Sequence, residues 1–442
     1  MKRSSGWNFY SCHIALIMIT LFIFKSNARG MQYGMGTYIR ELTGSLLSCP
    51  EIKIYVVTYH NSRFKEFNVE APAERYFEIN IPTPKLSLLQ NSRNETRYAR
   101  AVANLLADII SENEGIIFHM NYINDLPILK ILKERYVYPV ISVVHFFQWE
   151  QLFNGNKQKM NGLNIDKPSN NTEYTIFTEK EMLRLSDHVV TINPFMKDFL
   201  IEKYNIAPAK ISMIRNGINI GRFSKTDRQE KIKLKHKLGF YSHEKIILFC
   251  GRIDPDKGIN FLVDAFTEAC RIKDDLRLVL IGQGNIQEIL DRCKQFYGRI
   301  TFTGFLSPDK IKEFYQIADI GVVPSIYEPC SYSRLEMIAS GTPLILTRIE
   351  GFNDMLEGEQ CIFINRHISP DGDIFFDTGE FCSAILSLSG DDKLAETIAT
   401  NAYRNLLTKN SASQMAKEMT RLYKNLIKNK KPDLEYEKTE RR

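Results

Sequence analysis

Short apolar runs alternate with helix-patterned segments along almost the whole chain, and the alternation breaks off and restarts once near its middle. In the first half the runs are residues 14–24, 52–58, 115–119, 139–145, 188–192 and 210–214, with helical patterns at 37–47, 95–111 and 179–185. In the second half they are 245–249, 276–281, 300–302, 320–323, 342–346 and 361–364. Runs that are apolar throughout belong to strands covered on both faces, and parallel neighbours need a crossover helix. Each half is therefore expected to form its own doubly wound parallel sheet, an α/β architecture. A chain of 442 residues also exceeds one ordinary core. Two such sheets would leave a cleft between them, with the strand carboxyl ends, where ligands bind, facing it.

The segments outside this alternation set the boundaries. Residues 216–237 are polar and lysine-rich and read as a linker followed by a helix. Residues 154–171 are polar and poor in apolar side chains, so a mobile loop is expected there. Near the end, Met415, Met419, Leu422, Tyr423 and Leu426 give residues 411–429 an amphipathic helical spacing. Beyond them, 430–442 is a charged tail expected to fray.

The first apolar run follows Lys2 and Arg3 and superficially resembles a secretory signal. It is too short to span a bilayer and is followed by no small-residue cleavage site. It is rich in β-branched residues and leads into a glycine loop, so a buried first strand explains it better. Apolar residues make up 44% and charged residues 25% of the chain, and the net charge is +6. That balance, without an aromatic-basic signature, gives no reason to expect a nucleic-acid partner. Eight cysteines and eight histidines are scattered with no Cys-x-x-Cys pair, which suits a reducing cytosol and predicts no structural metal.

Residues 325–343 carry the most chemistry. They follow the run at 320–323 and place Glu328 in a proline-bounded loop and Glu336 in a short helix stopped by Gly341. Carboxylates accept hydrogen bonds from sugar hydroxyls, and a helix amino end beside them can take a phosphate. The combination suggests a nucleotide-sugar site. Glu336 has a plainer reading as the back-bonding half of a capping box with Ser333; Glu328 has none. Arg252 and Lys257, bracketing a turn at Asp254-Pro255, would converge on the cleft and stabilise a departing nucleoside diphosphate. The alternative is a solvated turn in which both cations pair with Asp254 and Asp256.

Weaker signals accompany these. Gly34 and Gly36 precede or begin a helix and would let backbone amides approach an anion, or simply turn the chain. His145, and less clearly His119, end strands and point to the cleft if the sheets form as expected; packing roles are the plain alternative. Gly282, in Gly282-Gln283-Gly284, would contact a nucleotide or just turn the chain.

In this order the motifs resemble the retaining glycosyltransferases of family 4, glycosyl transferases group 1, which have the GT-B fold. Asn216-Gly217-Ile218-Asn219 is similar to that family's turn at the domain junction, and Gly251-Arg252…Lys257-Gly258 to its phosphate motif. Thr303-Gly304-Phe305, Pro324-Ser325 and residues 328–341 follow in place, so the resemblance covers nearly the whole chain. The start from Gly30 to Tyr38 also resembles a Bacteroidetes-type subgroup. The resemblance implies two Rossmann-like domains facing across a cleft, 1–215 binding acceptor and 216–410 binding the nucleotide sugar, with the helix 411–429 crossing back to the first. It implies that Arg252 and Lys257 hold the donor diphosphate, Glu336 the ribose, and Glu328 a place beside the donor sugar. His145 would stand at the sugar and acceptor face, and the loop from Gly34 to Gly36 would close over phosphate or acceptor.

Two departures bear on the donor and acceptor. Pro329-Cys330-Ser331 stands where the family often has a glycine-containing pair, so Ser331 would alter the backbone's approach to the donor. Asn193 stands on the acceptor side where a serine is common. The expected activity is retaining transfer of a sugar from a nucleotide-sugar donor to a glycan, lipid-linked or peptide acceptor, in glycan or glycoconjugate biosynthesis. Rival readings are a nucleotide-sugar 2-epimerase and a non-catalytic nucleotide-sugar-binding subunit. No Asp-x-Asp pair stands at a strand end in a position suited to a metal, so no cofactor and metal-independent chemistry are expected. The expected location is cytoplasmic. Lys424, Lys428, Lys430 and Lys431 raise weak peripheral contact with the inner membrane face, although a solvated helix end is the plainer account.

Overall fold

The computed structural model describes residues 18–26, 34–61, 64–83, 92–121, 125–353 and 358–440. Its first sheet has strands β1 (Ile19–Ser26), β2 (Ile52–Tyr59), β3 (Asn68–Ala73), β4 (Tyr76–Asn80), β5 (Ile116–Met120), β6 (Val140–Val144), β7 (His188–Thr191) and β8 (Ile211–Met213). Its second has β9 (Lys245–Cys250), β10 (Leu276–Ile281), β11 (Ile300–Gly304), β12 (Ile320–Val323), β13 (Leu344–Thr347) and β14 (Ile362–Ile364), with a separate hairpin of β15 (Arg366–Ile368) and β16 (Ile374–Phe376).

The spatial order is β3-β4-β2-β1-β5-β6-β7-β8 in one sheet and β11-β10-β9-β12-β13-β14 in the other. All pairings within these sheets are parallel except β3 with β4. Strand order therefore reverses between β1 and β5 in the first sheet and between β9 and β12 in the second. Those are the switch points at which doubly wound sheets open a crevice. The apolar run read as a first strand lies mid-sheet as β1, with Leu21, Phe22, Ile23 and Phe24 fully buried. Its beginning, residues 14–17, lies outside the described residues.

β3 and β4 have no counterpart in the sequence reading. They form the sheet edge, where one face meets solvent and charged residues interrupt the apolar signal. Residues 154–171 are more bonded than the loop expected of them. Asn156 caps a 3-10 turn, Lys157–Met160, and Met160 is buried beneath it. Lys180 pairs with Asp166 at 2.6 Å, and the amides of Asn164 and Ser169 donate to Glu173 at 2.9 and 2.7 Å. Polar composition here reflects internal hydrogen bonding.

The chain passes between the domains twice, and the two passes lie against each other. Ile218 N–H donates to Asn410 and Ala412 N–H donates to Ile218, both at 2.9 Å. A Cβ at Gly217 would lie 2.3 Å from the Ser411 carbonyl oxygen, so only glycine fits this crossing. After it, the last helix, Ala412–Glu440, packs Met415, Met419, Leu422 and Tyr423 against the helix Gly34–Leu46 and β5. Its backbone stays helical through Glu440, eleven residues past the end expected at 429. One apolar cluster joins the domains, linking Ile141, Phe199 and Met419 to Tyr315, Leu335 and Leu346. Among the described residues no helix is long and apolar enough to cross a membrane.

Candidate active site

The carboxyl ends of both sheets border one cleft of about 630 Å³. Ser26 at the end of β1, His145 after β6 and Ile192 after β7 face Gly251 after β9, Gly282 after β10 and Ser325 after β12. The cleft brings together Arg252, Lys257, Glu328, Glu336, His145, Ser331, Gly282 and Gly34 from the sequence reading.

Lys257 Nζ lies 2.6 Å from Glu328 Oε2 and 3.8 Å from Asp256. Both members of the Lys257–Glu328 pair are 16% exposed, shielded enough that the pair is not an ordinary surface contact. Arg252 is held by Asp254 and Asp256, the latter at 2.9 Å. The paired-turn alternative thus describes Arg252. Lys257 reaches further and crosses to the loop of Glu328. Asp254-Pro255-Asp256 is itself an Asp-x-Asp sequence just beyond β9, and both carboxylates bear on the Arg252 guanidinium. Among the described residues no three His, Cys, Asp or Glu side chains group as a metal site.

Glu336 does not form the capping box with Ser333. Ser331 is the N-cap of the helix Tyr332–Ala339, its hydroxyl accepting from Arg334 N–H at 3.2 Å. Glu336 instead accepts a hydrogen bond from the Tyr315 hydroxyl at 2.8 Å. Burial pushes its carboxyl up to about 6, opposed by that hydroxyl and by Arg40 and Arg222. Gly282 lines the cleft at φ 143°, where a Cβ would lie 1.8 Å from the Gly251 carbonyl oxygen. Its role in bringing the β9 and β10 loops together is therefore structural as well as spatially suited to a ligand.

His145 is half-buried, with Nε2 3.2 Å from Asn121 Oδ1 and its ring edge-on to Tyr38 at 4.5 Å. Burial lowers its imidazole to about 3, so it is neutral across the physiological range. His119 turns away from the cleft: it is fully buried, and Nδ1 is 2.9 Å from the Tyr423 hydroxyl.

Gly34 and Gly36 begin the helix Gly34–Leu46, as the residues themselves suggest, so the loop implied by the resemblance is a first helical turn. Two site expectations need correction. Gly36 does not line the cleft, where Met35, Thr37 and Arg40 stand with Gly34. Asn193 does not reach the cleft either, because neighbours take up its fully buried amide. Oδ1 caps the helix Pro194–Tyr204 through Met196 N–H at 2.8 Å, and Nδ2 donates to the Pro329 carbonyl at 3.0 Å. It ties the first domain to the loop of Glu328.

Sequence reasoning missed Arg40, Arg222 and Tyr315, all of which line the cleft. Glu41 holds Arg222 at 2.9 Å and accepts from Asn219 N–H at 2.7 Å, joining the first domain to the junction turn. Arg222 lies three residues beyond that turn, the one signal that could have marked it.

Residues 33–222 match the family model described as Glycosyltransferase Family 4, and residues 244–391 the model described as Glycosyl transferases group 1. The chain belongs to these glycosyltransferases. An uncharacterised glycosyltransferase of Methanocaldococcus jannaschii is 30% identical over 243 residues, 54% of this chain. This glycosyltransferase chain spans 60% of that relative's length. A sucrose-phosphate synthase from Thermosynechococcus elongatus superposes with a TM-score of 0.74 at 19% identity, covering 93% of this chain and all of that one. Anabaena HepE, solved with UDP-glucose, gives 0.68 at 14% identity, covering 92% of this chain and all of HepE. The likeness to both is one of fold, and the fold is GT-B.

Proposed function

We propose that this glycosyltransferase moves a sugar from a nucleotide-sugar donor to an acceptor hydroxyl with retention of anomeric configuration. The observation that carries the reading is the Lys257–Glu328 pair at 2.6 Å, set between β9 and β12 in the same cleft as Arg252 and Glu336. Arg252 and Lys257 are held by Asp254, Asp256 and Glu328. A donor diphosphate would draw both cations towards itself and free Glu328 to accept from hydroxyls of the transferred sugar. Glu336 would take the ribose hydroxyls.

In the reaction, the bond from the anomeric carbon to the diphosphate oxygen breaks as the acceptor oxygen bonds to that carbon from the same face. The acceptor proton passes to the departing phosphate oxygen. Arg252 and Lys257 stabilise the charge growing there, a preorganised electrostatic role that needs no ion in addition. His145, being neutral, suits a hydrogen bond to a sugar or acceptor hydroxyl. The acceptor, whether glycan, lipid-linked or peptide, would approach from the first-domain side. The free thiols of Cys49, Cys250, Cys270, Cys293, Cys330, Cys361 and Cys382 support a reducing compartment such as the cytoplasm.

A thermal-shift screen over UDP-, GDP- and ADP-sugars tests the donor, because a ligand bound only by the folded state raises its melting temperature. The fold shared with HepE makes UDP-glucose the first choice. Turnover with the selected donor should give an α-linked product from an α-linked donor, read by the anomeric proton coupling, and should be equal in EDTA and in magnesium. Inversion would overturn retention. Release of an epimerised free sugar without acceptor would favour an epimerase.

A further inference from the structure

We propose that Tyr315 is a positioning residue that fixes Glu336 for the donor ribose and keeps it in its carboxylate form. The inference rests on the reading of Glu336 as the ribose contact. Tyr315 lies on the helix Pro308–Ile317, and its ring is 1% exposed. Its hydroxyl donates to Glu336 Oε2 at 2.8 Å. A glutamate side chain has three rotatable bonds, and one buried hydrogen bond removes much of that freedom before any ligand arrives. With Oε2 held by Tyr315, Oε1 is the oxygen a ribose hydroxyl would meet.

The surroundings make this bond matter. Burial disfavours the charged form of Glu336, and the Tyr315 hydroxyl is the foremost influence opposing it. The other groups facing the carboxylate come from four directions. Arg40 and Glu41 project from the helix Gly34–Leu46, and Arg222 from the 3-10 turn Ile220–Arg222 that follows the junction. Cys250 comes from the end of β9, and Tyr332 from the start of the helix that bears Glu336. Glu41 repels the carboxylate while Arg40 and Arg222 attract it, so the cations are partly offset. A protonated Glu336 would offer the ribose one lone acceptor fewer and compete as a donor.

The test uses Tyr315→Phe, which keeps the ring and removes only the hydroxyl, with Glu336→Gln as its partner. UDP, GDP and ADP are each titrated calorimetrically into the full-length protein, and the tightest binder is followed from pH 5 to 9. Ionisation of the nucleotide's own phosphates is common to all variants and cancels between them. Wild-type affinity should fall as the pH drops through about 6, the range of Glu336. Tyr315→Phe should move that midpoint up by about one pH unit; that shift alone weakens binding about twofold at pH 7 and roughly five- to tenfold from pH 6 down to pH 5, and it fades by pH 9, leaving there only the loss from the freed side chain. Glu336→Gln should weaken binding at every pH and flatten the profile. A Tyr315→Phe loss of equal size at all pH values, or none, would overturn the inference while leaving Glu336 on the ribose. Unchanged affinity in Glu336→Gln, or no binding of any of the three nucleotides, would instead remove the ribose reading on which it rests.

Discussion

A lysine paired with a glutamate at 2.6 Å is poorly placed to bind an anion unless the glutamate has something else to do when the anion arrives. In the proposed function Glu328 would turn to the hydroxyls of the sugar attached to that anion. Such an exchange would tie recognition of the diphosphate to recognition of the sugar through one ion pair. Lys257→Ala should therefore reduce turnover by roughly 100-fold or more, through lost charge at the leaving group, and lower the melting temperature as Glu328 loses its shielded partner. Steady-state rates at saturating donor check this, and near-normal turnover in the folded variant would remove Lys257 from the chemistry. That Lys257 and Glu328 line one cleft was legible in the sequence because charged side chains just beyond apolar strands have few structural uses. Asn193 and Gly36 were not legible. The direction in which each faces depends on a neighbour distant in sequence or on where the helix begins, and Asn193 is turned inward by the Pro329 carbonyl, 136 residues away. Tyr315 reads as an ordinary core aromatic until its partner, 21 residues on, is seen.

Between β6 and the short helix Gln148–Leu152, the backbone that presents His145 and Gln151 to the cleft is pinned by two buried carboxylates. Glu150 accepts from Phe147 N–H at 2.9 Å, and Glu179 accepts from Gln148 N–H at 2.8 Å and the Tyr204 hydroxyl at 2.5 Å. Burial outweighs these bonds and pushes both carboxyls up to about 8, with Glu179, Glu350 and Glu328 adding repulsion at Glu150. Both groups hold a proton more tightly folded than unfolded. Their stabilising contribution is fully present below the usual glutamate range and is lost as the pH rises through about 8. Thermal stability should thus decline between about pH 4.5 and pH 8 and level off above it, and Glu179→Gln should flatten that decline; a profile unchanged by the substitution would contradict it. At this scale the strands were readable because burial on both faces leaves an uninterrupted apolar run. The β3–β4 edge and the bonded segment 154–171 were not, since their stability comes from hydrogen bonds that composition alone does not reveal.

At the scale of the molecule, the first domain is completed from the far end of the chain. His119 on β5 and Tyr423 on the last helix are 304 residues apart and share a buried hydrogen bond of 2.9 Å. Met419 beside it is fully buried in the cluster that continues into the second domain. The amphipathic spacing foretold a docked helix, whereas its seat beside β5 depends on the paired crossings at Ile218 and Ala412, which no local pattern encodes. Such a helix couples the domains: loosening it should expose the first sheet's helix face even though every residue of that sheet lies elsewhere in the chain. Met419→Ala would lose the transfer free energy of the thioether and leave a cavity, about 2–5 kcal/mol in all. Tyr423→Phe would leave His119 without its partner and cost about 1–3 kcal/mol. Urea unfolding of each full-length variant measures both, and because the two side chains adjoin, their double variant should lose less than the sum. A loss below about 0.5 kcal/mol for Met419→Ala, the level of an ordinary surface change, would mean that the helix does not dock on the first domain in solution.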